Sequence, residues 1–230
     1  KILPGAALVG AGCGSYELIT LKGLSEIRRA EVIVYDDLID EHLLEFAQES
    51  CELIYAGKRS GRHSKAQEEI NELLVAKALE GKYIVRLKGG DPYVFGRGGE
   101  EALALKAHGI PVHEVPGVTS SIGLCGIAGI PVTHRGASRG FHVITGHTAD
   151  NLPPEVEEIR WKSYAKLDET FVFLMGLKSI DMITEKLMRY GKLSDTPVAV
   201  IHGENTDGTY GKLVGTLSDI AAKVKEVDFP

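Results

Sequence analysis

Two stretches of this 230-residue chain gather positive charge without a single acidic residue. Residues 58–65, KRSGRHSK, hold Lys58, Arg59, Arg62, His63 and Lys65; residues 133–142, THRGASRGFH, hold His134, Arg135, Arg139 and His142. In a chain of net charge −6, two such loops point to a small polyanion held by charge-assisted hydrogen bonds from Arg and Lys. Arg97, inside RLKGGDPYVFGRGGEE (86–101), is a third positive site. A basic loop taken singly is most often just solvated. The second signal is glycine or acid where apolar runs end: VGAGCGS (9–15), VYDD (34–37) and RLKGGDP (86–92). Glycine there lets backbone N–H groups approach a ligand closely and permits positive φ. One glycine pair is as readily an ordinary tight turn; three such ends on one sheet edge favour a ligand.

The elements that position these residues follow from periodicity. AALVG, EVIVYD, CELIYAG, YIVRL and PVHEV read as apolar strands. Helical patterns separate them over 17–30 (ELITLKGLSEIRRA), 41–47 (EHLLEFA), about Lys65 to Leu79, and 99–109 (GEEALALKAHG). Ser64 and Gln67 stand in capping-box spacing before Ile70, Leu73 and Leu74. This alternation, with near-continuous apolar strands, implies α/β architecture and a parallel sheet covered on both faces. VPG at 115–117 reads as a hinge, giving an N-terminal α/β domain over 1–114 and a C-terminal one over 115–230. In the second, FHVITG, TFVFLM, PVAVIH and GTYGKLVG include a strand-loop-strand return and hence a mixed sheet, and DNLPPEVEE (150–158) reads as a polar surface loop.

Composition bounds the function classes. At 43% hydrophobic and 25% charged the chain is an ordinary globular protein, large enough to need no disulfide or metal staple. Cys13, Cys51 and Cys125 are odd in number and lack Cys-x-x-Cys spacing, which argues against a disulfide framework and a structural zinc site and fits a reducing, cytoplasmic setting. The acidic balance disfavours a nucleic-acid surface, and no apolar run reaches membrane-spanning length. Ligands of open α/β sheets sit at strand carboxyl ends, so the dinucleotide fingerprint is the first to try. Gly10 and Gly12 fit it, but Ser15 stands where the third glycine belongs. Asp36 or Asp37 can still hold a ribose, which keeps a nicotinamide-binding oxidoreductase as the alternative derived from the residues alone.

The strings ITLKGL, VYDDLI, GKRSGRHS, RLKGGDPYVFGRGGEE, VPGVTS, GIPVTHR, TGH, MGL and PVA, spread over nearly the whole chain, resemble those of the tetrapyrrole methylase family. The resemblance implies two α/β domains with S-adenosylmethionine bound in the cleft between them. It implies C-methylation of uroporphyrinogen III at carbons 2 and 7 to precorrin-2, with S-adenosylhomocysteine as the other product. A relative acting on a later corrin intermediate is the alternative within the family. On the same basis Gly89, Gly90, Asp91, Val94, Thr119, Ser120, Met175 and Ala199 line the cofactor pocket, with Cys13 and Gly203 at less well matched positions. Asp36 is the implied base and Lys58 the implied proton donor. The eight carboxylates of uroporphyrinogen fall to Arg59, Arg62, His63, Arg97, Arg135 and Arg139. Read without the family, Met175 is core packing. Cys13 and Ser15 replace a proline and an aspartate usual in the family, and VIHGENTDG replaces its usual acidic turn after PVA. The resemblance also implies a homodimer, no metal, and one more apolar strand beyond VDFP.

Overall fold

The structure, a computed structural model, describes residues 4–57, 67–147, 152–204 and 210–227. The chain divides into two compact units, Lys1–Gly123 and Leu124–Pro230. The 115–117 segment therefore lies within the first.

In the first unit β1 (Gly5–Gly10) is buried at every position. A 3-10 turn over Tyr16–Leu18 follows, and only then α1 (Leu21–Arg29). The single helix expected over 17–30 is thus split. Ile19 and Thr20 are extended, and Thr20 caps α1 by accepting the Gly23 N–H on Oγ1 at 3.0 Å. β2 (Val32–Tyr35) leads to a second 3-10 segment, Glu41–Phe46, capped by Asp40. Then come β3 (Glu52–Tyr55), α2 (Gln67–Leu79), β4 (Tyr83–Lys88), α3 (Gly98–Ala107) and β5 (Val112–Val115). Ser64 of the expected capping box lies outside the described residues.

All five strands are parallel, in the order β3-β2-β4-β1-β5. Alternate residues face opposite layers. Ala6, Leu8, Val32, Val34 and Ile84 pack with Leu74 of α2 and Leu105 of α3. Ala7, Val9, Ile33, Val85 and Leu87 pack with Ile27 of α1 and with Leu43. Burial on both faces explains why these strands read as continuous apolar runs. The connection leaving β2 runs to β3 at one edge, while that leaving β4 runs to β5 at the other. Two adjacent strands whose connections diverge leave a crevice at their carboxyl ends, which is where open α/β sheets hold ligands.

α4 (Ser120–Ile127) begins in the first unit and ends in the second. The second unit contains β6 (Phe141–Thr145), α5 (Pro154–Lys166), β7 (Thr170–Leu174), α6 (Ile180–Arg189), β8 (Pro197–Glu204), β9 (Tyr210–Thr216) and α7 (Ile220–Glu226). β6 and β7 pair in parallel; β8 and β9 form the antiparallel return. Among the described residues these are two separate ladders, so both senses of pairing are present but not in one sheet. Trp161, Ile183, Leu187 and Leu217 form the core. The surface loop expected over 150–158 is helical from Pro154 onward. Proline at the first position of a helix loses no hydrogen bond and presets φ, so the Pro-Pro pair starts α5 rather than breaking it.

Candidate active site

In the first unit three glycine-bearing loops converge. The loop after β1 is tied to the loop after β4 by backbone bonds: Ala11 N–H to Lys88 O at 2.7 Å, Gly12 N–H to Gly90 O at 3.2 Å and Gly90 N–H to Gly12 O at 2.7 Å. The loop after β5 is drawn in by Asp91, whose Oδ2 accepts the Gly117 N–H at 3.0 Å while Oδ1 accepts from Tyr93 N–H at 2.9 Å. The glycines here serve different ends. A Cβ on Gly117 would lie 2.1 Å from Gly90 O, and one on Gly89 would lie 2.5 Å from Leu38 O, so these two permit the protein's own chains to pack. Gly90 differs. Its φ is +65°, and a Cβ there would meet nothing nearer than Thr119 Cα at 3.8 Å and Ser120 N at 3.9 Å. A Cβ at Gly90 would thus sit in ordinary contact with Thr119 and Ser120, so it is the left-handed backbone and not crowding that calls for glycine here. Cys13 is buried, and its Sγ packs where a Cβ on Gly123 of α4 would go. Val94 is half-buried in the turn closed by its N–H to Asp91 O at 3.3 Å.

Asp36 follows β2 at the crevice. Its Oδ1 accepts the Leu38 N–H at 3.1 Å and its Oδ2 accepts from Arg86 Nη2 at 3.0 Å. The Asp36 side chain is 21% exposed, whereas that of Arg86 is 3% exposed. Arg86 Nη1 donates to the carbonyls of Val34 at 3.3 Å and Leu87 at 3.0 Å, and its Nε to Glu101 Oε1 at 3.2 Å. The same oxygen of the fully buried Glu101 also accepts from Lys88 Nζ at 2.9 Å and Gln67 Nε2 at 3.2 Å. Glu101 Oε2 has no hydrogen-bond partner among the described residues. Burial, and then the neighbouring Arg86 charge, push the Lys88 ammonium below its ordinary value despite the pull of Glu101. Arg97 is exposed, left-handed at φ +57°, and paired with Glu100 at 2.7 Å.

Sequence reasoning missed Arg86, Lys88 and Glu101. The signal was present: Arg86 and Lys88 are two apart in an otherwise apolar strand, hence on one buried face, and buried cations need a buried acid. Lys58, Arg59, Arg62 and His63 lie outside the described residues.

In the second unit Met175 follows β7 with φ +58° and is 50% exposed, so it is not core packing. Left-handed backbone in a non-glycine residue costs on the order of 1–3 kcal/mol and marks a site worth attention. Ala199 pairs with Val214 inside β8, and Gly203 lies at the bulge between His202 and Glu204 with open space where its Cβ would be. Arg135 and Arg139 are exposed on a loop closed by the His134–Ser138 backbone pair, around an open concavity of about 450 Å³. Neither has an ion-pair partner among the described residues. His142 has an acidic neighbour: it meets Glu169 and stacks on Phe171, so this loop, acid-free in sequence, is not acid-free in space.

A dinucleotide site needs a helix N-terminus directly after the first glycine loop. Here a 3-10 turn intervenes and β4 separates β1 from β2, which removes the support for the nicotinamide alternative. A parallel sheet with converging glycine loops beside an anchored carboxylate defines a small-molecule α/β enzyme. The chain belongs to the tetrapyrrole (corrin/porphyrin) methylases, whose family model matches residues 7–219. A uroporphyrinogen-III C-methyltransferase of Methanocaldococcus jannaschii is 51% identical over 221 residues, covering 95% of this chain and 89% of that protein. An S-adenosyl-L-methionine-dependent uroporphyrinogen III methyltransferase of Methanosarcina barkeri is 49% identical over 219 residues, 95% of this chain and 85% of the other. The uroporphyrin-III C-methyl transferase of Thermus thermophilus, solved with S-adenyl homocysteine, superposes with a TM-score of 0.79 at 37% identity, covering 98% of this chain and 94% of that one.

Proposed function

We propose that this protein methylates uroporphyrinogen III at carbons 2 and 7, using S-adenosylmethionine, to give precorrin-2. The observation that carries the reading is near-full-length likeness to enzymes named for that substrate, one of them solved with the demethylated cofactor product. The local geometry supports it. Gly90, left-handed and without a side chain, stands next to Thr119 and Ser120, and Asp91 is fixed beside it. These residues, with Cys13, Gly89, Val94, Met175, Ala199 and Gly203, form the proposed cofactor set. Bound there, S-adenosylmethionine supplies a methyl group activated by its sulfonium.

The chain's residues do the rest. Arg135 and Arg139, without acidic partners among the described residues, receive substrate carboxylates. Arg59, Arg62 and His63 are assigned to the same substrate on the sequence alone, and Arg97 joins by exchanging Glu100 for a substrate carboxylate. The new carbon–carbon bond uses a π pair of the macrocycle while the sulfur–methyl bond breaks and its pair stays on sulfur, leaving S-adenosylhomocysteine; the alkylated ring then loses a proton, which Asp36 accepts. Lys58 is assigned as a proton donor on the resemblance alone, and since each methyl cation gained is balanced by one proton lost, any proton it gives the macrocycle leaves again. The active form is a cytoplasmic homodimer, to be read by sedimentation.

The test is incubation with uroporphyrinogen III and labelled S-adenosylmethionine, counting methyl groups in the product. Two methyls per macrocycle are expected. No label in the macrocycle overturns the proposal, and label appearing only with a later corrin substrate replaces it by the other family activity.

A further inference from the structure

We infer that Arg86 is a positioning residue for the reaction, holding the Asp36 carboxylate in one orientation while Glu101 anchors Arg86 from below. The inference rests on the proposed function and on Asp36 as its base. The geometry at Arg86 is over-determined. Its guanidinium reaches three directions at once: Nε to Glu101, Nη1 to the carbonyls of Val34 and Leu87, and Nη2 to Asp36. A planar fork held on three sides cannot swing, so the bond it gives Asp36 Oδ2 has a fixed direction. Leu38 N–H fixes Oδ1 from the following turn. With both oxygens tethered from different elements, rotation of the carboxylate is blocked. Each oxygen keeps a further lone pair, and the group retains an exposed edge through which to meet a substrate.

Stability alone does not account for this arrangement. Buried ion pairs are often no better than apolar residues of the same size. This cluster is moreover poorly balanced, with three donors on Glu101 Oε1 and none on Oε2 among the described residues. The cluster lies where the β2 and β4 connections diverge, and the one carboxylate it presents toward solvent is Asp36. A base must be placed to within fractions of an ångström, and misplacement by about 1 Å can cost roughly 10²-fold in rate.

The test is a double-mutant cycle on the full chain with Arg86→Lys, Asp36→Asn and the pair. Lysine keeps a buried cation against Glu101 but cannot reach Glu101, the carbonyls and Asp36 together. Single-turnover methyl transfer, steady-state product formation, KM for uroporphyrinogen III, adenosylmethionine affinity and thermal midpoint are measured for each. Arg86→Lys is expected to lower kcat about 10- to 100-fold, with KM and cofactor affinity within about twofold of the parent. Added to Asp36→Asn it should change the rate no further, because its effect passes through the carboxylate. Should Arg86→Lys not fold, Arg86→Met with Glu101→Gln removes one cation and one anion together and takes its place in the cycle. Rate losses that multiply, or a lowered midpoint with unchanged kcat, overturn the inference alone. A near-parental Asp36→Asn overturns it together with the base assignment. A parent that leaves uroporphyrinogen III unmethylated overturns the proposed function and the inference with it.

Discussion

Strand β4 carries a polar cluster at each end, and the two are built differently. At its amino end Glu26 of α1 is buried, but both of its oxygens are satisfied: Oε2 by Tyr83 O–H at 2.5 Å and Arg29 Nε at 2.7 Å, Oε1 by His113 Nε2 at 3.3 Å. Arg29 also donates to the Tyr83 hydroxyl and lies over its ring. At its carboxyl end Glu101 gathers Arg86, Lys88 and Gln67 on one oxygen and leaves the other bare among the described residues. A closed cluster of this kind locks α1 to β4 and β5 of the sheet. The open one spends buried charge on aiming a carboxylate toward solvent. The same strand thus shows what a polar network looks like when it serves packing alone and when it serves a site.

The largest expected difference between the two ends is in rate. Asp36→Asn should slow turnover by roughly 10²- to 10⁴-fold with both ligands still bound, whereas no substitution in the Glu26 cluster should change kcat at permissive temperature. Single-turnover methyl transfer beside steady-state product formation checks this, and near-parental rates would make Asp36 a structural residue. Next, Glu101→Ala leaves Arg86 and Lys88 buried without their carboxylate and should cost about 3–5 kcal/mol of unfolding free energy in urea titration. A cost under about 1 kcal/mol would mean that the open cluster stores little.

Glu26→Gln should cost less, about 1–3 kcal/mol. It also carries a pH signature. Burial pushes the Glu26 carboxyl up, but hydrogen bonds from Tyr83, Arg29 and His113 outweigh that and hold it below its ordinary value. Its contribution is therefore complete above the unfolded-state value of about 4.3 and is lost as pH falls through the depressed folded-state value. Denaturation curves taken through that acid window should flatten in Glu26→Gln, and an unchanged pH slope would contradict the assignment. Smallest of all, Tyr83→Phe removes one hydroxyl between Glu26 and Arg29 and should cost about 0.5–1.5 kcal/mol by thermal melting.

The inner strands β1 and β2 were legible because each is an uninterrupted apolar run, a direct result of burial on both faces. Boundaries were less so. The split before α1 is set by Thr20 acting as a cap, and α5 was hidden by a Pro-Pro pair that reads as a loop yet begins a helix. The glycines expected at the strand ends do stand where three loops converge. Their reasons differ by position, since Gly117 and Gly89 make room for backbone and Leu38 while Gly90 serves a left-handed backbone. That distinction depends on which chains come together and is not encoded locally. Of the Arg86–Glu101 pair only half could be read: two cations on one face of an apolar strand ask for a buried acid, but which acid is settled only when α3 meets the assembled sheet. His142 was misjudged in the other direction, because its acidic partner Glu169 comes from a distant segment.

The strand order has a consequence for how the chain is made. β1, buried at every position, is synthesised well before both of its partners, β4 and β5: Gly5 waits for Tyr83, and Ala6 for Val112. At about 5–20 residues per second, GAALVG emerges from the ribosome on the order of ten seconds before the strand that will cover its second edge. The β2–β3 pair, Val32 with Glu52, closes a much shorter loop and can form well before that. Assembly of the sheet thus begins away from its centre. Until β4 emerges, β1 is an apolar segment with both edges unpaired, and until β5 emerges one edge stays open, the kind of edge most prone to pair with another nascent chain.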